Sequence, residues 1–219
     1  MKKALVTLSI VMSLTGCKVE LAPIVNLSDI NSESAKTVQS KLIVEVMSCK
    51  SYEDSRQESS DVKDAKEAIA KVFNNAKYIE CYTEKMDSKA LFEIPITVGG
   101  KNSVDGIQIT NTDIGGGMVI KMSDNLKHNF ERQKKASFID INPLIKITIN
   151  NDINKDQDIV VHGILANNKT YLPYSWYNIK ANENQIFNLS DVSVSSLIQN
   201  GETLVYEDFD KRVEITKAE

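Results

Sequence analysis

Three short stretches of this chain hold the residues best able to do chemistry. The first is Asp152-Ile153-Asn154-Lys155-Asp156-Gln157-Asp158, where Asp152, Asn154, Asp156 and Asp158 place oxygen side chains at alternate positions. Calcium loops use that spacing to wrap a hard cation. Two parts of such a loop are absent: Gln157 stands where the sharp turn needs glycine, and Gly163 where a bidentate glutamate closes the shell. A solvated hairpin loop, which Asn and Asp favour by bonding to their own backbone, explains the same residues. The second stretch, Tyr171-Leu172-Pro173-Tyr174-Ser175-Trp176-Tyr177, gathers four aromatic rings. Tyr and Trp carry much of the energy at binding hot spots. Tyr171, Tyr174, Trp176 and Tyr177 are therefore candidate contacts for a protein or glycan partner, or else core and turn aromatics that close a sheet. The third, Gly115-Gly116-Gly117, could bring backbone amides to an anion. No GK[ST] follows and no GxGxxG is formed, so a turn between two strands is the better reading.

Recognisable catalytic motifs are missing. No GxSxG elbow occurs, and the two histidines, His128 and His162, sit in no local motif. His162 lies inside an apolar run (IVVHGIL) and reads as a packed, hydrogen-bonded residue rather than a base. Glu207, Asp208 and Asp210 are followed by Lys211 and Arg212, as on a solvated terminal strand. Without CxxC or HxxxH spacing no metal set is expected, and no cofactor is implied. A hydrolase site would have to be assembled from carboxylates far apart in sequence.

The amino terminus points to a compartment. Lys2 and Lys3 precede the uncharged, mostly apolar stretch Ala4 to Leu14. That is shorter than the roughly 20 residues of a membrane-spanning helix, and it matches the apolar region of a secretory leader. Leu14-Thr15-Gly16-Cys17 follows and resembles the lipobox of bacterial lipoproteins. The resemblance covers residues 1–17. It implies a thioether-linked diacylglycerol on Cys17, cleavage before it by signal peptidase II, and acylation of the new amino group, commonly with palmitate. Two or three acyl chains anchor a protein stably, at about 0.8 kcal/mol per buried methylene. The next residue is Lys18, whereas an Asp there in enterobacteria resembles an inner-membrane retention signal. By that analogy the protein faces the periplasm from the outer membrane of a Gram-negative host; in a Gram-positive host it sits on the outer face of the plasma membrane.

With Cys17 used for lipid, Cys49 and Cys81 remain as an even pair in an oxidising compartment, which favours a disulfide over two free thiols. The stretch from Lys41 to Gly99, with both cysteines and the phrase FEIPITVGG, also resembles uncharacterised lipoproteins of enterobacteria and their prophages. That likeness brings no catalytic residues. It implies a prophage origin and, as one role, a superinfection-exclusion factor that alters the host surface.

The elements that must position these groups form two expected domains. Hydrophobic residues make up 42% and charged ones 26% of the chain, ordinary values for a folded body. The formal net charge of −4 becomes more negative once Lys2 and Lys3 leave with the leader, and Arg132, Lys134 and Lys135 form only a small basic group at a helix end. Nucleic acid is therefore not an expected partner. Residues 17–37 read as a lipidated cysteine and flexible tether, with an r.m.s. reach of about 25 Å and room for a short strand near Val19 to Val25. Residues 38–135 read as an α+β domain: a strand at 41–48, a helix at 61–74 with Val62, Ala65, Ile69, Val72 and Phe73 on one face, strands at 78–83, 90–98, 106–110 and 118–122, and a short helix from Ser123 to Lys135. Residues 136–212 read as a β-sandwich-like domain with strands at 138–141, 145–150, 159–165, 185–189 and 203–208. Residues 213–219 read as a frayed tail.

The functional expectation is a membrane-anchored, non-enzymatic binding module of the cell envelope, held by the bilayer through acylated Cys17 and acting on an envelope protein or glycan. The alternatives are an envelope hydrolase acting on wall or glycan, and the exclusion factor.

Overall fold

The computed structural model describes residues 18–102, 105–112, 116–137, 143–168 and 170–210. The leader, Cys17, Gly115, the strand expected at 138–141 and the tail at 213–219 lie outside these. The described chain runs β1 (Val19–Ala22), β2 (Ile24–Asn26), α1 (Leu27–Ile30), β3 (Lys36–Val46), α2 (Ser60–Val72), β4 (Lys77–Glu84), β5 (Asp87–Val98), β6 (Ile107–Asn111), β7 (Met118–Met122), α3 (Asp124–Ser137), β8 (Leu144–Asn150), β9 (Gln157–Ala166), β10 (Thr170–Ile179), β11 (Asn184–Leu189), α4 (Asp191–Asn200) and β12 (Glu202–Asp208). Strand accounts for 50% and helix for 23%, so the protein is β-rich rather than evenly α+β.

The strands hydrogen-bond in the order β1-β3-β5-β6-β7-β12-β9-β11-β8, and β8 returns to β1, closing a nine-stranded barrel. β2 continues along β8, β4 adds to β5, and β10 adds to β9. Strict alternation makes the barrel wall two-faced. On β5, Ala90, Phe92, Ile94, Ile96 and Val98 are buried while the residues between them are half-exposed. Ile145, Ile147 and Ile149 do the same on β8. These side chains meet in one continuous core that also takes in Leu42, Ile109, Ile120 and Phe187.

That core corrects two expectations. The sheet does not stop near residue 136: β7 pairs with β12, and β1 with β8, so strands from both expected domains share one barrel instead of an α+β layer and a sandwich. Nor are residues 18–37 a tether. β1 is bonded on both edges, and Leu21, Val25, Leu27 and Ile30 are buried. The stretch is too apolar at alternate positions to stay in water once two strand edges are available to it.

The helices begin where capping chemistry places them. The Ser59 hydroxyl accepts from the Val62 amide at 3.2 Å, starting α2, which buries Val62, Ala65, Ile69 and Val72 against the core. The Ser123 hydroxyl accepts from Leu126 at 3.2 Å and starts α3, whose last turn carries Lys134 and Lys135. Cys49 and Cys81 form the disulfide, with Cα atoms 5.4 Å apart and a separation of 32 residues. It ties the segment leaving β3 to β4, with β5 between them. A loop of that size is worth about 3–4 kcal/mol in the chain-entropy account.

The junction at β9 is unlike the rest. β10 pairs with β9 along its length, so β12 and β11 must share the other edge, β12 opposite Ile159–Val161 and β11 opposite Ile164–Ala166. Between them stands Gly163, at φ +57°. Its carbonyl accepts from the Ser190 amide at 2.8 Å and the Ser193 hydroxyl at 3.2 Å, which fastens the start of α4 to the break. The inward set changes there. Ile159 and Val161 face the core before Gly163, and Ile164 and Ala166 after it. A Cβ on residue 163 would lie 2.7 Å from Ser193 Oγ and 2.8 Å from Ser190 Oγ. Gly163→Ala is expected to cost about 2–4 kcal/mol from the left-handed backbone and the clash. Urea unfolding checks this, and an unchanged midpoint would show that β9 has no such constraint.

Candidate functional site

The aromatic stretch forms strand β10, not a loop. Pro173 lies opposite Gly163 by register, at the only step where the β9–β10 pairing is interrupted. Proline has no amide to give the ladder. β10 therefore swaps faces where β9 does. Leu172 packs inward above the swap, and Tyr177 and Ile179 pack inward below it. The consequence is that Tyr171, at an odd position, joins Tyr174 and Trp176, at even ones, on the outer side of the hairpin. They are 56%, 55% and 69% exposed, far above what a core role allows.

Tyr177 does not belong with them. Its ring lies edge-on to Phe187 at 5.6 Å, and its hydroxyl donates to Gln185 Oε1 at 2.7 Å while accepting from Asn167 Nδ2 at 3.0 Å. Burial pushes its phenol pKa up. It is a buttress that holds β10 and β11 at a fixed spacing.

The outer rings have firm backing. The Tyr174 ring stands edge-on to His162 at 5.3 Å, and His162 Nε2 lies 2.9 Å from Glu207 Oε2 on β12. Trp176 leans on Phe209 at 4.2 Å between centroids. His162 is thus a half-buried, carboxylate-bonded support, as its apolar strand implied. Locked aromatic side chains lose little entropy when a partner arrives, which suits them to a contact surface. Among the described residues no strand pairs with the outer edge of β10.

The acidic loop does not converge. The Asp152 carboxylate accepts from the Ser28 amide at 2.9 Å and from the Ser28 hydroxyl, docking α1. Asp156 takes Lys180 at 2.7 Å and the Ala181 amide at 3.0 Å, and Asp158 takes Asn178 at 2.6 Å. Asn154 is exposed. The calcium reading therefore finds no convergent set: Asp152, Asp156 and Asp158 face separate partners. What organises the loop is Asn151, fully buried, whose amide donates to the carbonyls of Lys155 and Ile179 at 2.9 and 3.0 Å. Gly116 and Gly117 lie in the turn between β6 and β7, where the Gly117 carbonyl accepts from Thr112.

Two adjoining grooves cross the end of the barrel where β1 begins. One, of about 650 Å³, is lined by Glu20, Leu144, Leu165, Tyr171, Asp191 and Val192 among others; the other, of about 420 Å³, by Lys18, Glu45, Asp87, Leu144 and Leu189 among others. Both are open. Their carboxylates, Glu20, Glu45, Asp87 and Asp191, are half-buried or exposed, so none sits in the dry setting that tunes a general acid.

A family model described as "Domain of unknown function (DUF7424)" matches residues 19–211, the whole of the barrel from β1 through β12. No curated protein and no solved structure matches the chain.

Asp152 gives a pH prediction. Burial opposes its charge, but the two bonds from Ser28, with its own backbone amide and the Lys36 charge, together outweigh burial, so its carboxyl titrates below the usual range. A carboxyl depressed on folding contributes stability that is present above its unfolded pKa of about 3.9 and is lost as pH falls through the folded value. Asp152→Asn should flatten that acid limb. Urea midpoints measured from neutral pH downward would fall less steeply below about pH 4 than in the parent protein. An identical slope would mean that Ser28 does not hold the carboxylate.

Proposed function

The chain belongs to the DUF7424 family, and from that premise we propose that it is a lipid-anchored protein of the bacterial cell envelope that captures a protein or glycan partner without chemistry. The observation that carries this reading is the outer face of the β9–β10 hairpin, where Tyr171, Tyr174 and Trp176 stand exposed on supported backbone. The leader ending at Cys17 supports the anchor. The Cys49–Cys81 disulfide supports an oxidising compartment. Lys18, in place of the retention-type Asp, favours the outer membrane facing the periplasm in a Gram-negative host. The open, solvated setting of the groove carboxylates favours binding over wall or glycan hydrolysis.

Tyr174→Ala and Trp176→Ala test the surface. Hot-spot rings cost about 2 kcal/mol each on truncation, roughly 30-fold in affinity. Photo-crosslinking in cells from a probe at residue 178 should capture a defined envelope species from the parent protein. Both variants should lose most of it while their urea midpoints stay near the parent's. Undiminished capture by folded variants would remove the hairpin from the reading.

A further inference from the structure

We propose that the barrel end where β1 begins lies directly on the bilayer, with Leu144, Tyr171 and Val192 seated in the headgroup layer. This rests on the lipidated Cys17 reading. Cys17 is bonded to Lys18, and β1 starts at Val19. Two extended residues span at most about 7 Å. Lys18 is itself held, since its carbonyl accepts from the Glu45 amide at 2.9 Å. An acylated Cys17 therefore leaves no slack between the barrel and the lipid.

The pairing registers show what surrounds that point. Val19 is opposite Val44 near the end of β3, and Glu20 is opposite Leu144 at the start of β8. β5 begins there at Asp87, and the groove holding Lys18 reaches Leu189 and Asp191, where β11 gives way to α4. Four of the exposed apolar side chains follow the same rim. Leu144, Tyr171 and Val192 line the larger groove, with Val192 78% exposed. Met86, 95% exposed, tips the β4–β5 turn just before Asp87. Scattered exposed apolar residues need no explanation, but a set gathered round the anchor point matches a surface that meets lipid. Tyrosine suits the boundary between headgroups and acyl chains.

Charge narrows the chemistry. Lys18, Lys89 and Lys146 on this rim are offset by Glu20, Glu45, Asp87 and Asp191, and Lys89 is bonded to Glu84 at 2.5 Å. Among the described residues the rim carries no basic excess to select anionic lipid, so contact should form equally on neutral membranes. Trp176 pairs with Val160, three residues and about 10 Å along the strand from Gly163, and lines neither groove. Tyr171 then belongs to the lipid-facing set, and the partner surface is left to Tyr174 and Trp176.

The test uses acylated full-length protein, purified from membranes and reconstituted in phosphatidylcholine vesicles doped with a headgroup nitroxide lipid. Two variants in a Trp176→Phe background carry a reporter tryptophan, Val192→Trp at the rim and Ser34→Trp at the far end beside β3. Both sites are exposed. Emission from Val192→Trp should lose most of its intensity and that from Ser34→Trp almost none, with no change on adding salt. If intact mass confirms acylated Cys17 but both reporters are equally bright, or equally quenched, the seating is overturned and the anchor stands. If the mass shows Cys17 unmodified, the anchor reading fails and the seating falls with it.

Discussion

Four residues hold the two ends of this sheet together. Val19–Ala22 pair antiparallel with β3 and, through Glu20 and Leu21, parallel with Leu144 and Ile145 on β8. Without them the order from β3 round to β8 would be an open sheet with two long free edges, each a template for aggregation. With them the apolar rows of β5 and β8 face a common interior, and Leu21 itself is buried. Because the closing strand is β1, the closure also fixes where Lys18 lies. The same contact that completes the fold brings the candidate anchor to the rim.

The second constraint is the shared edge of β9. Two strands, β11 and β12, take successive halves of it, and α4 fills the step between them. The left-handed Gly163 and the amide-free Pro173 allow both strands of the hairpin to change faces together. That exchange leaves the hairpin flanking the barrel, and turns three rings outward that a regular strand would have split between two faces. Fold and candidate site thus share one cause.

Much of this was legible locally. The β-branched runs of β7, β8, β9, β11 and β12 announce themselves within a residue or two, and α2 is marked by Ser59 and its apolar stripe. The cysteine pair was readable from its even number and from the compartment that the leader led one to expect. What failed was non-local. Nothing in VELAPIVN says that β1 will find β3 and β8, so a short apolar piece before a polar run looked like a tether. α4 escaped because DVSVSS is β-branched and serine-rich, a poor helix by propensity, held by the Ser190 cap and by Gly201 in the left-handed region. The rings were found, but not their sides. Tyr177 points inward and Tyr171 outward only because of the face exchange. The docking role of the acidic loop was not legible because the partner of Asp152, Ser28, is 124 residues away.

The most direct measurement is hydrogen exchange by mass spectrometry on peptides covering Val19–Asn26 in the intact protein. If β1 closes the barrel, those amides exchange as slowly as the paired amides of β3 and β8, and open with them in one cooperative event. Exchange within seconds, while β3 and β8 remain protected, would mean that the segment is a tether after all and that β1 does not close the barrel.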